Sequence, residues 1–322
     1  MKILVTGSEG SLMQWVIPRL LKEGHEVVGA DNFSRYGEVK KERAYEFHKC
    51  DLTNKQTVKD LCKDVEGIIQ AAAQIYGVKG FHKYPADILS RDIELHSNLL
   101  WEAKKQEMKR MVYISSSMVY ERVEQVPVKE KDTDNMRIPL TDYGLSKFVG
   151  ERLTKAFKKQ YDLDYTIWRP FNIITPYERG EEEPGVSHVF ADFIRRMVYE
   201  KQNPMTILGD GNQVRCFTWI DDVARGIAEK SFSVEAKNET FNLGNPEDVS
   251  MKELAYRILK ELKRRGEKSE SEILLFNHLP IYKDDVRIRI PSVEKAKNIL
   301  GWEPTIKLDE ALGICIDEAL KK

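Results

Sequence analysis

The period of the apolar positions changes twice within the first 30 residues. Residues 2–6 form a short β-branched run, and from residue 11 to 22 Leu12, Val16, Ile17, Leu20 and Leu21 recur at helical spacing until Gly24 stops the pattern. A second strand pattern at 26–30 ends on Asp31 and Asn32. Residues 46–50, 67–72, 111–115 and 165–169 repeat the strand signal, and helical patterns separate most of them. Alternating strands and helices with short connections predict a parallel, doubly wound α/β sheet of the Rossmann type, because each parallel crossover needs a helix lying on a sheet face.

After Pro170 the regularity breaks. Residues 175–184 read as an acidic loop containing Gly and Pro, and the later elements are shorter and mixed. This predicts a first domain over 1–170 and a smaller mixed α/β lobe over 171–322. Part of 215–245 is free to return to the first domain, since the strand-like run at 240–243 suits either lobe. The basic run at 260–271 predicts a helix end followed by a solvated loop.

A chain of 322 residues is long enough for about two domains of ~150 residues. Its 51 Lys and Arg nearly cancel 52 Asp and Glu, which argues against nucleic acid or an anionic membrane surface as partner. The start shows no secretory pattern, and no apolar stretch approaches the ~20 residues of a membrane span, so a cytoplasmic protein is expected. Cys50, Cys62, Cys216 and Cys315 are scattered, as suits a reducing compartment, and no His pair sits at i, i+4; no metal site is expected.

Candidate chemistry begins at Thr6-Gly7-Ser8-Glu9-Gly10-Ser11-Leu12, a turn between strand and helix. Glycine there lets backbone N–H groups approach a pyrophosphate at the helix N-terminus, and Asp31, about 20 residues on, is placed to accept both ribose hydroxyls. Met13 stands where the dinucleotide fingerprint has a third glycine, so the helix must move out or the thioether must be absorbed. Asp31 would repel a 2′-phosphate, which favours NAD over NADP, although Arg35 is near enough to offset its charge. Tyr143 and Lys147 share a helix face at i, i+4, where an ammonium would lower the phenol pKa. The strand at 111–115 runs into Ser115, Ser116 and Ser117 at its carboxyl end, placing Ser116 to bond the oxygen that Tyr143 deprotonates. Together these are the parts that oxidise a secondary alcohol.

These residues resemble the extended short-chain dehydrogenase/reductase family, in its nucleotide-sugar epimerase and dehydratase branch, over nearly the whole chain. The matching pieces are Gly7-x-x-Gly10, Asp31-Asn32, Asp51-Leu52, Ala71-Ala72-Ala73, Ser116-x-x-Val119-Tyr120, Tyr143-x-x-x-Lys147, Arg169-Pro-Phe-Asn172, the run from Gly209 to Arg215, and Leu300-Gly-Trp-Glu-Pro304. The resemblance implies that Asp51 and Leu52 flank the adenine, that Ala71, Ala72 and Ala73 line the cofactor groove, and that Lys147 holds the nicotinamide ribose near Pro170. Gly7, Gly10, Ser11, Leu12, Asp31, Asn32, Ser34 and Tyr143 complete the expected NAD set. A nucleotide-diphosphate sugar, linked to UDP, GDP, CDP or dTDP, would contact Ser116, Ser117, Asn172, Val189, Thr206, Arg215 and either Arg287 or Arg289, with Arg289 preferred. His188 is also near enough to touch it, although a lone His more often packs or faces solvent. The resemblance further implies a homodimer through helices near 85–105 and 142–160.

Met118 separates the reactions of that branch. Dehydratases of the branch carry an Asp-Glu pair after the hydroxyl residue, decarboxylases a Glu, and GDP-mannose 3,5-epimerases a Cys at this place; a thioether moves no proton usefully. The expected activity is 4-epimerisation through a transient 4-keto sugar with Ser116, Tyr143 and Lys147 as catalytic residues. A 4-keto reductase or dehydrogenase, the reactions just set aside, and a noncatalytic NAD-binding regulator are the alternatives.

Overall fold

The computed structural model describes every residue of the chain except Tyr36, Val39, Lys40, Lys283, Asp284 and Lys322. Its centre is a seven-stranded parallel sheet. β1 (Lys2–Thr6), β2 (Glu26–Asp31), β3 (Glu46–Lys49), β4 (Gly67–Gln70), β5 (Arg110–Ile114) and β6 (Tyr165–Pro170) are joined by the strand Glu239–Leu243, which pairs with β6. The order across the sheet is Glu239–Leu243, β6, β5, β4, β1, β2, β3. The chain leaves after β6 and comes back 69 residues later, so the run at 240–243 belongs to the large sheet. The expected strand at 67–72 ends at Gln70, because the N–H groups of Ala71 and Ala72 leave the ladder and donate to Thr6 Oγ1 at 3.2 and 3.3 Å.

Both sheet faces are covered, which is why the inner strands read as continuous apolar runs. On one face α1 (Met13–Lys22) packs Val16, Ile17 and Leu20 beside Val223, Ala224 and Ile227 of the helix Ile220–Lys230. On the other, α2 (Lys55–Leu61), α4 (Pro85–Lys105) and α5 (Asp142–Tyr161) supply Val58, Leu99 and Phe157. A short helix, α3 (Val78–Lys83), precedes α4. Met13 is 1% exposed and sits among Ile3, Val5 and Val27, so the flexible thioether is absorbed at the place where a third glycine was expected.

The remaining chain builds a smaller mixed lobe with its own apolar core. A three-stranded sheet orders Asp248–Ser250, Val214–Cys216 and Ile288–Arg289, and Met205–Leu208 pairs with Phe276–Leu279. The helices Met251–Arg264 and Leu308–Leu320 cover them. The residues that follow the expected acidic loop of 175–184 reach the large-sheet domain: the Gly77 and Lys79 N–H groups donate to the Val186 and Gly185 carbonyls at 2.6 and 2.8 Å. Trp302 is buried and donates from Nε1 to the Asp222 carbonyl at 2.9 Å, tying the C-terminal segment to the large sheet's helix layer.

α4 and α5 meet at a buried imidazole. His96 Nε2–H faces the Gly150 carbonyl at 3.1 Å and Thr154 Oγ1 at 2.9 Å, while Nδ1 has no partner. Burial pushes its pKa down to about 3. The unfolded chain therefore binds a proton near pH 6.5 that the folded chain refuses, and this contribution to stability is complete above pH 6.5 and lost as pH falls toward 3. Urea melts between pH 7 and 4.5 are expected to show stability falling with acidification. In His96→Asn the fall should be shallower by up to about 1.4 kcal/mol per pH unit, the weight of one proton; an unchanged slope would refute the assignment.

Candidate active site

The glycine turn has the shape its sequence implies. Gly7 holds φ +65°, and a Cβ there would come within 2.9 Å of the Ala72 backbone nitrogen, so no other residue lets β1 turn this close to β4. Gly10 N–H donates to the Gly7 carbonyl at 2.9 Å, closing the turn. Ser11 and Leu12 lead into α1, which begins at Met13 with no side-chain cap, the Gln14 and Trp15 N–H groups donating to the Gly10 and Leu12 carbonyls at 3.2 and 3.0 Å.

Asp31 ends β2 at the same cleft. Its carboxylate accepts the Glu9 N–H at 3.0 Å and the Phe33 N–H at 2.7 Å, while Asn32 Oδ1 accepts the Ser34 N–H at 3.0 Å. Asp51 is paired with Arg91 at 2.7 Å beside buried Leu52. Those residues, Ala71, Ala72, Ala73, Tyr143, Lys147 and Pro170 all line one continuous cleft along the carboxyl ends of the strands. A groove with a tight glycine turn, an uncapped helix start and a carboxylate at the next strand end fits a dinucleotide.

At the middle of the cleft α5 presents the catalytic candidates. Thr141 caps the helix, its Oγ1 accepting the Gly144 N–H at 3.0 Å. Buried Glu121 fixes that cap by accepting the Leu140 and Thr141 N–H groups at 2.6 and 2.8 Å and the Thr141 hydroxyl at 2.5 Å. Tyr143 stacks on Phe81 with ring centroids 4.7 Å apart and lines the cleft together with Ser116. Ser116 Oγ also accepts the Met118 N–H at 3.2 Å.

One electrostatic expectation is corrected. Burial pushes the Tyr143 phenol well up and Asp92 adds to it, with the Ser116 hydrogen bond and Arg289 pulling the other way. The Lys147 Nζ donates instead to the Ile114 carbonyl at 3.1 Å and lies 5.8 Å from the Tyr143 ring centre. The spacing put both residues on one face, but the ammonium turns toward the strand end. Burial holds the Lys147 pKa down while Asp92 opposes that shift.

Asp92 went unnoticed in the sequence. It lies on the inner face of α4, where the Gln74 N–H donates to it at 2.9 Å and the Ser146 hydroxyl at 3.4 Å, and burial pushes its pKa up to about 6. The signal was present as a carboxylate in an apolar stripe at i, i+4 from Ile88. Glu9 and Glu121 were likewise missed.

The far half of the cleft is cationic. Arg215 is buried and paired with Asp285 at 2.8 Å. Arg289 is buried too: Nη1 lies 2.7 Å from Met118 Sδ, Nη2 lies 3.4 Å from Asn172 Oδ1, and Nε has no partner. Burial and the neighbouring Arg215 pull its pKa down to about 9. Ser117, Asn172, Val189, Thr206, Arg215 and Arg289 all line this half. Arg287 does not, and that expectation is corrected. It precedes the two-residue strand, its carbonyl accepts the Val214 N–H, and its guanidinium turns outward to Asp210 at 3.1 Å. His188 sits at the rim with Nδ1 2.6 Å from Glu178 Oε1, and Asp284 lies outside the described residues.

Comparison with known proteins agrees with this geometry. The UDP-glucuronate 4-epimerase of Thermodesulfobacterium geofontis is 33% identical over 325 residues, covering 96% of this chain and 93% of that one. The crystal structure of Thermotoga maritima UDP-glucose 4-epimerase with UDP-glucose matches with a TM-score of 0.84 at 28% identity, covering 100% of this chain and 99% of that one. The Bacillus cereus UDP-glucuronic acid 4-epimerase, in complex with UDP-glucuronic acid and NAD, matches at 0.84 and 26% with the same coverage. Residues 3–244 fit the model of one family, and with the glycine turn, Asp31 and the Ser116–Tyr143 pair in a single cleft, the chain belongs to the NAD dependent epimerase/dehydratase family.

Proposed function

We propose that the protein inverts the C4 hydroxyl of a nucleotide-linked sugar through a transient 4-keto intermediate. One observation carries this reading: Ser116 and Tyr143 line the cleft together, and the side chain beside them that would set a second proton-transfer step is the thioether of Met118. Elimination and acid-assisted decarboxylation both need another proton donor, whereas 4-epimerisation needs one acid/base and a hydride acceptor.

The residues divide the work along the cleft. Residues 1–170, rejoined by part of 215–245, hold NAD, with Asp31 on the adenosine ribose, the glycine turn on the pyrophosphate and Lys147 toward the nicotinamide ribose. Residues 171–322 mainly hold the nucleotide sugar. Arg289 and Arg215 face its diphosphate, since one Asp285 leaves two buried guanidiniums short of negative charge. NAD supplies the hydride acceptor and donor and, when oxidised, a positive charge. Burial keeps Tyr143 a neutral phenol until positive charge enters the cleft and its proton is lost to solvent; the phenolate then takes the C4 hydroxyl proton while Ser116 holds the oxygen, and the phenol so formed returns that proton to the C4 oxygen once the carbon has been inverted.

The relatives named above act on UDP-linked sugars, so UDP-glucose and UDP-glucuronate are the first substrates to test, with GDP-, CDP- and dTDP-sugars alongside. The protein further reads as a cytoplasmic homodimer. Four free thiols suit a reducing compartment, and among the described residues no helix is long and apolar enough to cross a membrane. α4 exposes 43% of Trp101 beside Phe157 and Tyr161 of α5, an aromatic patch suited to a second copy.

Mass spectrometry and NMR of purified protein with this sugar panel should show 4-epimer formation without added NAD, because the hydride goes out and returns. A net requirement for external NAD or NADH would instead indicate the one-way reductase or dehydrogenase. Tyr143→Phe should retain NAD and lose turnover by about 100-fold or more, the usual weight of a positioned acid/base; unchanged turnover would end the mechanism. Arg289→Met should raise the sugar KM by about 10- to 100-fold, the worth of a charge-assisted hydrogen bond. Arg287→Met should leave it within about twofold, as for a screened surface pair.

A further inference from the structure

Glu9 stands inside the glycine turn, between Gly7 and Gly10, and its side chain is 6% exposed. A carboxylate there needs a reason, since the turn is the place prepared for the negative phosphates of a cofactor. The structure supplies its partners. Arg43 reaches both oxygens, from Nε at 3.0 Å and Nη2 at 3.3 Å. Lys41 Nζ stands 3.0 Å away, and the Tyr45 hydroxyl donates at 2.8 Å. Arg43 is held in place from outside as well, with its guanidinium 4.1 Å from the centre of the Phe47 ring. These three donors outweigh burial and keep the Glu9 carboxyl below its usual range, so it is ionised at neutral pH.

The position of this cluster gives it a role. The Glu9 N–H donates to Asp31 Oδ2, so the cluster lies one hydrogen bond from the carboxylate assigned to the adenosine ribose, and both Glu9 and Asp31 line the cleft. Arg43 and Lys41 do not line the cleft themselves, but Glu9, which does, holds both behind its wall. A 2′-phosphate arriving here would meet two carboxylates, and the cations that could receive it are already engaged.

We propose that Glu9 is a second determinant of the preference for NAD over NADP, acting by sequestering Arg43 and Lys41 away from the ribose 2′ position. This rests on the reading that Asp31 holds the adenosine ribose. It goes beyond that reading because it assigns discrimination to a residue of the phosphate turn and to cations on the segment after β2. Removing the Glu9 charge would release the cations toward the cleft, whereas removing the cations would leave the acidic pair unopposed.

The test is direct binding of NAD and NADP to the purified full chain, stripped of cofactor and followed by calorimetry or cofactor fluorescence, so that sugar turnover plays no part. For Glu9→Gln the ratio of the NADP Kd to the NAD Kd should fall at least tenfold, and the gain should shrink as salt is raised from 50 to 500 mM. Adding Arg43→Gln to Glu9→Gln should abolish most of the gain, and the Lys41→Gln, Arg43→Gln pair with Glu9 intact should raise the ratio. That last arm decides the matter even if Glu9→Gln fails to fold. An unchanged ratio in both arms, or equal weakening of both cofactors, means that Glu9 only braces the turn and overturns the proposal. Failure of the underlying reading has a different signature: Asp31→Asn would leave the same ratio unaltered.

Discussion

The site depends on a buried ion pair that does not itself line the cleft. Arg169 at the end of β6 and Glu151 in the middle of α5 are 0% and 2% exposed, and they meet through Nε and Nη2 at 2.8 and 2.6 Å. Burying two charges is costly, so the pair stabilises only because every remaining valence is used. Ser115 donates to Glu151, and Arg169 also donates to the Tyr120 hydroxyl, the Glu130 carbonyl and Thr133. Tyr120 in turn donates to Asn242 of the returning strand. The network therefore clamps α5, the carboxyl ends of β5 and β6 and the strand Glu239–Leu243 to one another. Tyr143 and Lys147 lie two and one helical turns before Glu151, and Ser116 directly follows Ser115. Rotation of α5 that separated Tyr143 from Ser116 would first have to break this pair, at a cost of about 3–5 kcal/mol.

Within that frame the cleft is electrostatically unfinished. Burial pushes Tyr143 toward the neutral phenol, Lys147 toward the neutral amine and Asp92 toward the neutral acid, each away from its charged form. Arg289 and Arg215 crowd each other over a single Asp285. The imbalances at Tyr143 and at the guanidiniums have the sign that a dinucleotide and a sugar diphosphate would correct, since these ligands bring positive charge to the phenol and negative charge to the guanidiniums. Binding and activation of the base thus become one event, which limits stray proton transfer when the sugar is absent.

Much of this was legible in the sequence because it follows from period and spacing. Six of the seven sheet strands, the glycine turn, Asp31 and the helical Tyr143–Lys147 pair need only local rules. What escaped is long-range. The strand-like run at 240–243 was legible, but its return to β6 depends on a pairing across a long excursion that no local pattern decides. The direction of the Lys147 ammonium depends on the Ile114 carbonyl, 33 residues away, and the outward turn of Arg287 on Asp210. Glu9 went unread in the turn because its partners lie at 41, 43 and 45, beyond β2. Met13 escaped in the opposite sense: a departure from the fingerprint that threatened the packing proved harmless, because an unbranched thioether fits among Ile3, Val5 and Val27.

Met118 joins the structural and chemical arguments. In the sequence it matters as an absence, a position where a proton-transferring group is missing. In the structure it also has a partner, since Arg289 Nη1 approaches its sulfur at 2.7 Å. A thioether is a weak acceptor, so this contact leaves the guanidinium poorly satisfied and easily drawn to an anion. A Glu at 118 would instead form a strong ion pair with Arg289, giving the cleft an acid while removing its most available cation. On the proposed reading, the residue that lacks a second proton-transfer group is therefore also the one that leaves Arg289 free to meet an anion, so a change at 118 would alter the acid/base set and the cation together.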